Sequence, residues 1–146
     1  MAHAAPAPGR TAVATRTPDI LSERAHAIGR WAVPVGLGLV YGYWAAANER
    51  SGGPITGWNL LLGFVSAAVF AAVFFGLLQV APHMRREVHA VVWSSFAGIA
   101  FGFMYSLTGA SILRSVVMSL AVAATFFVIL FYRYYTHEDA EGHRIS

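Results

Sequence analysis

Apolar residues along the chain gather into four runs, at about 31–47, 55–80, 88–107 and 112–132, each bounded by a short polar break. At ~1.5 Å of rise per residue, each run makes a helix long enough to cross most of a ~30 Å hydrocarbon layer. The breaks carry turn chemistry. Asn48 to Pro54 holds two charges, two glycines and a proline, Pro82 to Glu87 contains Arg85 and Arg86, and Thr108-Gly109 makes a tight turn. Connections this short place consecutive helices side by side and antiparallel. The pattern predicts an all-α integral membrane bundle of four transmembrane helices over 31–133, with up-down topology and short hairpin loops.

The ends read differently. Residues 1–16 are rich in Ala, Pro and Thr and lack an apolar period, the composition of a disordered cytoplasmic tail. Over 17–30, Thr17 can cap, Pro18 and Asp19 suit a first helical turn, and Ile20, Leu21 and Ile28 form an apolar stripe, which together predict a short interfacial helix. At the other end Phe131, Tyr132, Tyr134 and Tyr135 form an aromatic belt that runs into a polar tail over 134–146. That tail ends solvated, with docking to a cytoplasmic partner as the alternative. Ala45-Ala46-Ala47 resembles a signal-peptide cleavage site, but Tyr41, Tyr43 and Trp44 crowd the segment that cleavage requires to be small and polar. The first run is read as retained.

Composition strengthens the membrane reading. Apolar residues make up 57% of the 146 residues and charged ones 12%, about half the ~25% usual in soluble domains. All ten basic side chains are arginine, which with the abundant alanine reads as the codon bias of a high-GC bacterium and places the protein in its plasma membrane. Charge also sets orientation. Arg10, Arg16, Arg24, Arg30, Arg85, Arg86, Arg133 and Arg144 fall on one side, and only Arg50 and Arg114 on the other. The arginine-rich side is expected to be cytoplasmic, with both termini there. Trp31 and Trp93 then fall near the inner boundary, and Trp44 and Trp58 near the outer one.

Small residues at four-residue spacing recur in every run. They are Gly38, Gly42 and Ala46; Gly63, Ala67 and Ala71; Ser94, Gly98, Gly102 and Ser106; and Ser115, Ser119 and Ala123. In lipid, where helix association has little hydrophobic drive, such rows let backbones approach closely. They serve either to pack the helices of one chain together or to join it to another copy or partner.

Candidate chemistry is sparse. The seven carboxylates, Asp19, Glu23, Glu49, Glu87, Glu138, Asp139 and Glu141, lie outside the runs or at their edges. This argues against proton-coupled transport, which needs an ionisable group within the membrane, and against phosphotransfer on a metal held by paired aspartates. Without cysteine there is no disulfide, thiolate nucleophile or thiolate-held metal. His3, His26, His83, His89, His137 and His143 fall on the inner side or its boundary with no metal-ligand spacing. They read as solvated, with a metal or pH-sensing cluster as the alternative. The serines have no intramembrane base to activate them. Asn59 and Gln79 sit near opposite ends of the second run, as interfacial residues or substrate contacts.

Arg114, about a turn inside the outer end of the fourth run, either snorkels to the interface or meets an anion or lipid headgroup, with Glu49 as a partner on the same side. Arg85 and Arg86 are the matching candidates for anionic lipid on the inner side. No phosphate loop, nucleotide motif or basic nucleic-acid patch is present. The sequence therefore predicts no catalytic residue, no cofactor and no metal, and no nucleic-acid partner. The partners expected are the lipid bilayer and either a second copy or a larger membrane complex. The leading reading is a noncatalytic accessory or scaffold subunit that associates through its small-residue helix faces. The alternative is a small oligomeric channel or uncoupled facilitator, and a membrane enzyme comes third.

Overall fold

A computed structural model describes residues 22–137. The chain there is all-α, with four helices: α1 over Glu23–Arg50, α2 over Gly57–Val80, α3 over Arg86–Ser106 and α4 over Ile112–His137. A short 3-10 turn, Ala81–His83, leads from α2 towards α3. Residues 1–16, residues 17–21 of the segment read as an interfacial helix, and the tail from 138 onward lie outside the described residues.

Three helices are long and apolar enough to cross a membrane: α2 with its following turn, α3 and α4. At 28 residues α1 is the longest helix, but it is less apolar. Pro34, Gly36, Gly38, Gly42, Tyr41, Tyr43, Trp31 and Trp44 dilute its aliphatic content.

The helix starts follow local chemistry. The hydroxyl of Ser22 accepts from the Ala25 amide at 3.3 Å and caps α1. The helix then runs unbroken from Glu23 into the first apolar run. The segment from Glu23 to Trp31 and the first run thus form one continuous helix, with no break near residue 30. Pro34 lies inside this helix and is fully buried; lacking an N–H, it leaves the Arg30 carbonyl without its donor four residues on. At the far end Ser51 and Gly52 both adopt left-handed backbone, at φ 48° and 83°, and stop the helix. Gly109, at φ 79°, turns the chain between α3 and α4.

Helix α2 opens with a reciprocal cap. The Thr56 hydroxyl accepts from the Asn59 amide at 3.3 Å, and the Asn59 side-chain oxygen accepts from the Thr56 amide at 3.0 Å. Asn59 also donates its side-chain amide to the Glu49 carboxylate, pinning the end of α1 to the start of α2. Asn59 is buried, so the residue read as interfacial or substrate-contacting is a structural staple.

Close packing joins α1 to α2 and α3 to α4. The expected third hairpin, α2 with α3, is linked by its short turn but does not pack backbone to backbone. The protein is thus two tight helical hairpins set beside each other.

Candidate functional site

Each hairpin closes along two of the small-residue rows. In the first, a Cβ added to Gly38 would stand 2.7 Å from the Ala67 carbonyl oxygen and 2.9 Å from the Ala71 Cβ. A Cβ on Gly42 would overlap the Gly63 carbonyl oxygen and lie 2.7 Å from the Ala67 Cβ, while one on Gly63 would meet the Ala46 Cβ at 3.1 Å. The second hairpin repeats the arrangement. A Cβ on Gly98 would stand 2.7 Å from the Ala123 Cβ, and one on Gly102 equally close to the Ser119 Cβ. Ser94 and Ser115 are buried, whereas Ser106 is exposed and its hydroxyl bonds its own helix at Phe103.

The row hydroxyls are engaged inside the protein. Ser119 donates across the second seam to the Gly98 carbonyl at 2.6 Å, and Ser94, Ser115 and Thr125 donate to carbonyls of their own helices or of the residue that opens them.

Between the hairpins the joint is made of side chains. The Tyr41 hydroxyl donates to the Ala100 carbonyl at 2.7 Å, and Asn48 reaches the Met104 carbonyl at a long 3.5 Å. Phe70 stacks on Tyr41 with centroids 4.5 Å apart and meets Phe96 at 5.1 Å, while Phe74 meets Trp93 edge-on at 5.4 Å. These rings hold the backbones of α2 and α3 apart and leave a groove of about 790 Å³ between them. Its walls are aliphatic and aromatic, running from Leu77 and Val91 at one end to Leu62 and Phe103 at the other. The only side-chain polar atoms among its lining residues are the hydroxyls of Tyr41, Ser66 and Ser95. Sequence reasoning missed this groove: bulky apolar residues that line a groove carry the same signature as residues facing lipid.

The arginines singled out from sequence occupy both ends. Arg114 is exposed, with its guanidinium 5.9 Å from the Tyr105 ring centroid. Glu49 accepts from Asn59, so the suggested pairing of Arg114 with Glu49 is replaced by contacts each makes nearer home. At the opposite end Arg86 lies 4.4 Å over the Tyr135 ring, and His89 stacks on Tyr134 with centroids 4.5 Å apart, tying the start of α3 to the end of α4. Arg85 is exposed at the N-cap of α3, and His83 is exposed just before it. Among the described residues, no three His, Asp or Glu side chains gather where they could share a metal ion.

No protein-family model matches the chain, and no characterised protein or solved structure is significantly similar to it.

Proposed function

We propose that the protein is a four-span, noncatalytic integral membrane protein with both ends cytoplasmic, acting as an accessory or scaffold subunit. The observation that carries the fourth span is the register of the first hairpin. Trp31 stacks on Phe75, Gly38 faces Ala71, Gly42 faces Ala67 and Glu49 meets Asn59, so α1 follows α2 along nearly its whole length. A helix held within van der Waals distance of a spanning helix from end to end shares its surroundings. Its outward residues Val33, Val35, Leu37, Leu39 and Val40 are exposed, as suits a face turned to lipid.

The small-residue rows face each other within the chain, so they are not the surfaces offered to a companion. The exposed apolar helix faces and the groove between the hairpins are surfaces left for one. The apolar walls of that groove, with the Tyr41 hydroxyl bonded to the Ala100 carbonyl, speak against the channel reading, which needs a polar path. The acids and histidines of the helices, among them Glu49, Glu87 and His89, lie at the ends of the spans, and the span interiors hold no acid, histidine or thiol that could break a bond.

The absence of cysteine makes topology testable by single-cysteine labelling in right-side-out membrane vesicles. With a membrane-impermeant maleimide, Ser51→Cys is expected to react, and Ser22→Cys and Met84→Cys only after permeabilisation. Ser22→Cys and Ser51→Cys on the same side would refute the fourth span, and a full reversal would refute the orientation. For the accessory role, the protein extracted in mild detergent is weighed by native mass spectrometry. A solitary monomer with no copurifying protein would refute it.

A further inference from the structure

The two seams and the joint between the hairpins differ in kind. Within each hairpin the backbones touch: a Cβ added to Gly42 or to Gly98 would run into the facing helix. Helix pairs interlocked in this way move as units. Between the hairpins the contacts are made by side chains, and close packing ties α4 to α3 and to no other helix. The second hairpin therefore leans on the first through α3.

The joint is uneven along its length. Among the described residues, the ring pairs that cross from α2 to α3 are Phe70 with Phe96, Phe74 with Phe96 and Phe74 with Trp93, all at the helix midpoints or on the Met84 side of them. The covalent link lies at that end too. Between the 3-10 turn and α3, Met84 and Arg85 are extended, at ψ 138° and 150°, and no side chain caps the start of α3; a pair of such residues between two helices can absorb a change of angle. Towards Gly109 each loop belongs to a single hairpin, and the groove walls Val65, Ile99 and Phe103 are exposed. What crosses there is two side-chain hydrogen bonds, Tyr41 to the Ala100 carbonyl at 2.7 Å and Asn48 to the Met104 carbonyl at 3.5 Å. Met104 stands in the last turn of α3, where a carbonyl lacks its donor four residues on.

We propose that the two hairpins open as rigid halves about a hinge at Met84 and Arg85, with Tyr41 and Asn48 as latches, so that the angle between them sets access to the α2–α3 groove from the Gly109 end. At ~1.5 Å of rise per residue, Trp93 lies about 10 Å from the start of α3 and Met104 about 27 Å. A rotation of about 10° then shifts the level of Trp93 by under about 2 Å, which keeps ring centroids within the ~7 Å range of aromatic contact. The same rotation shifts the level of Met104 by about 5 Å and releases both hydrogen bonds. The motion is the same whichever end is cytoplasmic.

The chain has no cysteine, so pairs of spin labels on the full chain in lipid nanodiscs read the motion by double electron–electron resonance. Ile55→Cys with Ile112→Cys, both exposed, spans the hairpins at the Gly109 end. His83→Cys with Thr136→Cys spans them at the Met84 end, and Ser22→Cys with His83→Cys lies within the first hairpin. With the latches intact, the Ile55/Ile112 distances are expected to be more broadly distributed than those of the other two pairs, with a component about 5 Å longer. Tyr41→Phe combined with Asn48→Leu is expected to raise the fraction in that longer component about fivefold, the effect of one net hydrogen bond, while the Ser22/His83 distances stay narrow and show the hairpin intact. An Ile55/Ile112 distribution as narrow as that of Ser22/His83, equal broadening at the two ends, or a long component unmoved by the double substitution in an intact hairpin would each overturn the proposal. The comparison of the two ends needs no latch variant and decides by itself if the double substitution disturbs the hairpin. Failure of the four-span reading shows separately, in the cysteine labelling.

Discussion

Gly42→Ala, set against Gly36→Ala, tests whether the first hairpin is a close-packed seam. Both substitutions add one methyl to the same helix. At Gly36 nothing lies within 4 Å of the new atom; the change removes only the backbone freedom of glycine and is expected to stabilise by up to ~1 kcal/mol. At Gly42 the new carbon would overlap the Gly63 carbonyl oxygen and stand 2.7 Å from the Ala67 Cβ, where ordinary carbon contacts are ~3.5–4.0 Å. The helices must part by about 1 Å. A gap of that size forfeits a quarter to a half of the dispersion energy at each contact along the seam, and forced overpacking costs about 1–3 kcal/mol. After the gain in helix propensity, Gly42→Ala is expected to destabilise by up to about 2 kcal/mol, leaving the two variants roughly 1–3 kcal/mol apart. A fluorophore pair on Ser22→Cys and His83→Cys, which mark the same end of α1 and α2, reports hairpin opening as sodium dodecyl sulfate is titrated into a mild detergent. Equal midpoints for the two alanine variants, or a later midpoint for Gly42→Ala, would refute the seam.

Two further outcomes follow from named contacts. Asn59→Ala removes a reciprocal cap and leaves the Glu49 carboxylate without its amide, and is expected to lower stability in the same titration by about 1–2 kcal/mol. Tyr41→Phe deletes only the hydroxyl that meets Ala100; it is expected to speed amide exchange where α3 meets α1, around Ala100 to Met104, while the Ser22/His83 opening midpoint stays where it was, because that bond joins the hairpins and does not lie within one.

The rows of small residues were legible in the chain because four-residue spacing puts them on one helix face whatever the surroundings. Their pairing was not. Which row faces which is a property of two helices at once, and spacing within one helix is silent about it. Nor was the likeness of the two hairpins visible. Gly38 and Gly42 against Ala67 and Ala71 match Gly98 and Gly102 against Ser119 and Ala123, but the flanking side chains share too little to show as a repeat. The role of Asn59 had a signal: threonine and a hydrogen-bonding side chain three residues apart, just before an apolar run, mark a capped helix start. The groove had none, since Phe70, Phe74 and Phe96 follow the same helical period whether they face lipid or one another.

The densest packing joins helices adjacent in the chain, and this bears on how the protein is made. Every close contact of the first seam, from the Trp31–Phe75 stack to the Gly42–Gly63 approach, lies between Trp31 and Phe75, so that half is complete in sequence before α3 has been synthesised. Nothing in it waits for a distant segment, and the same holds for the second half. Synthesis then delivers two finished pieces in succession, and the last event of assembly is the meeting of a few rings, a tyrosine hydroxyl and an asparagine amide across a joint.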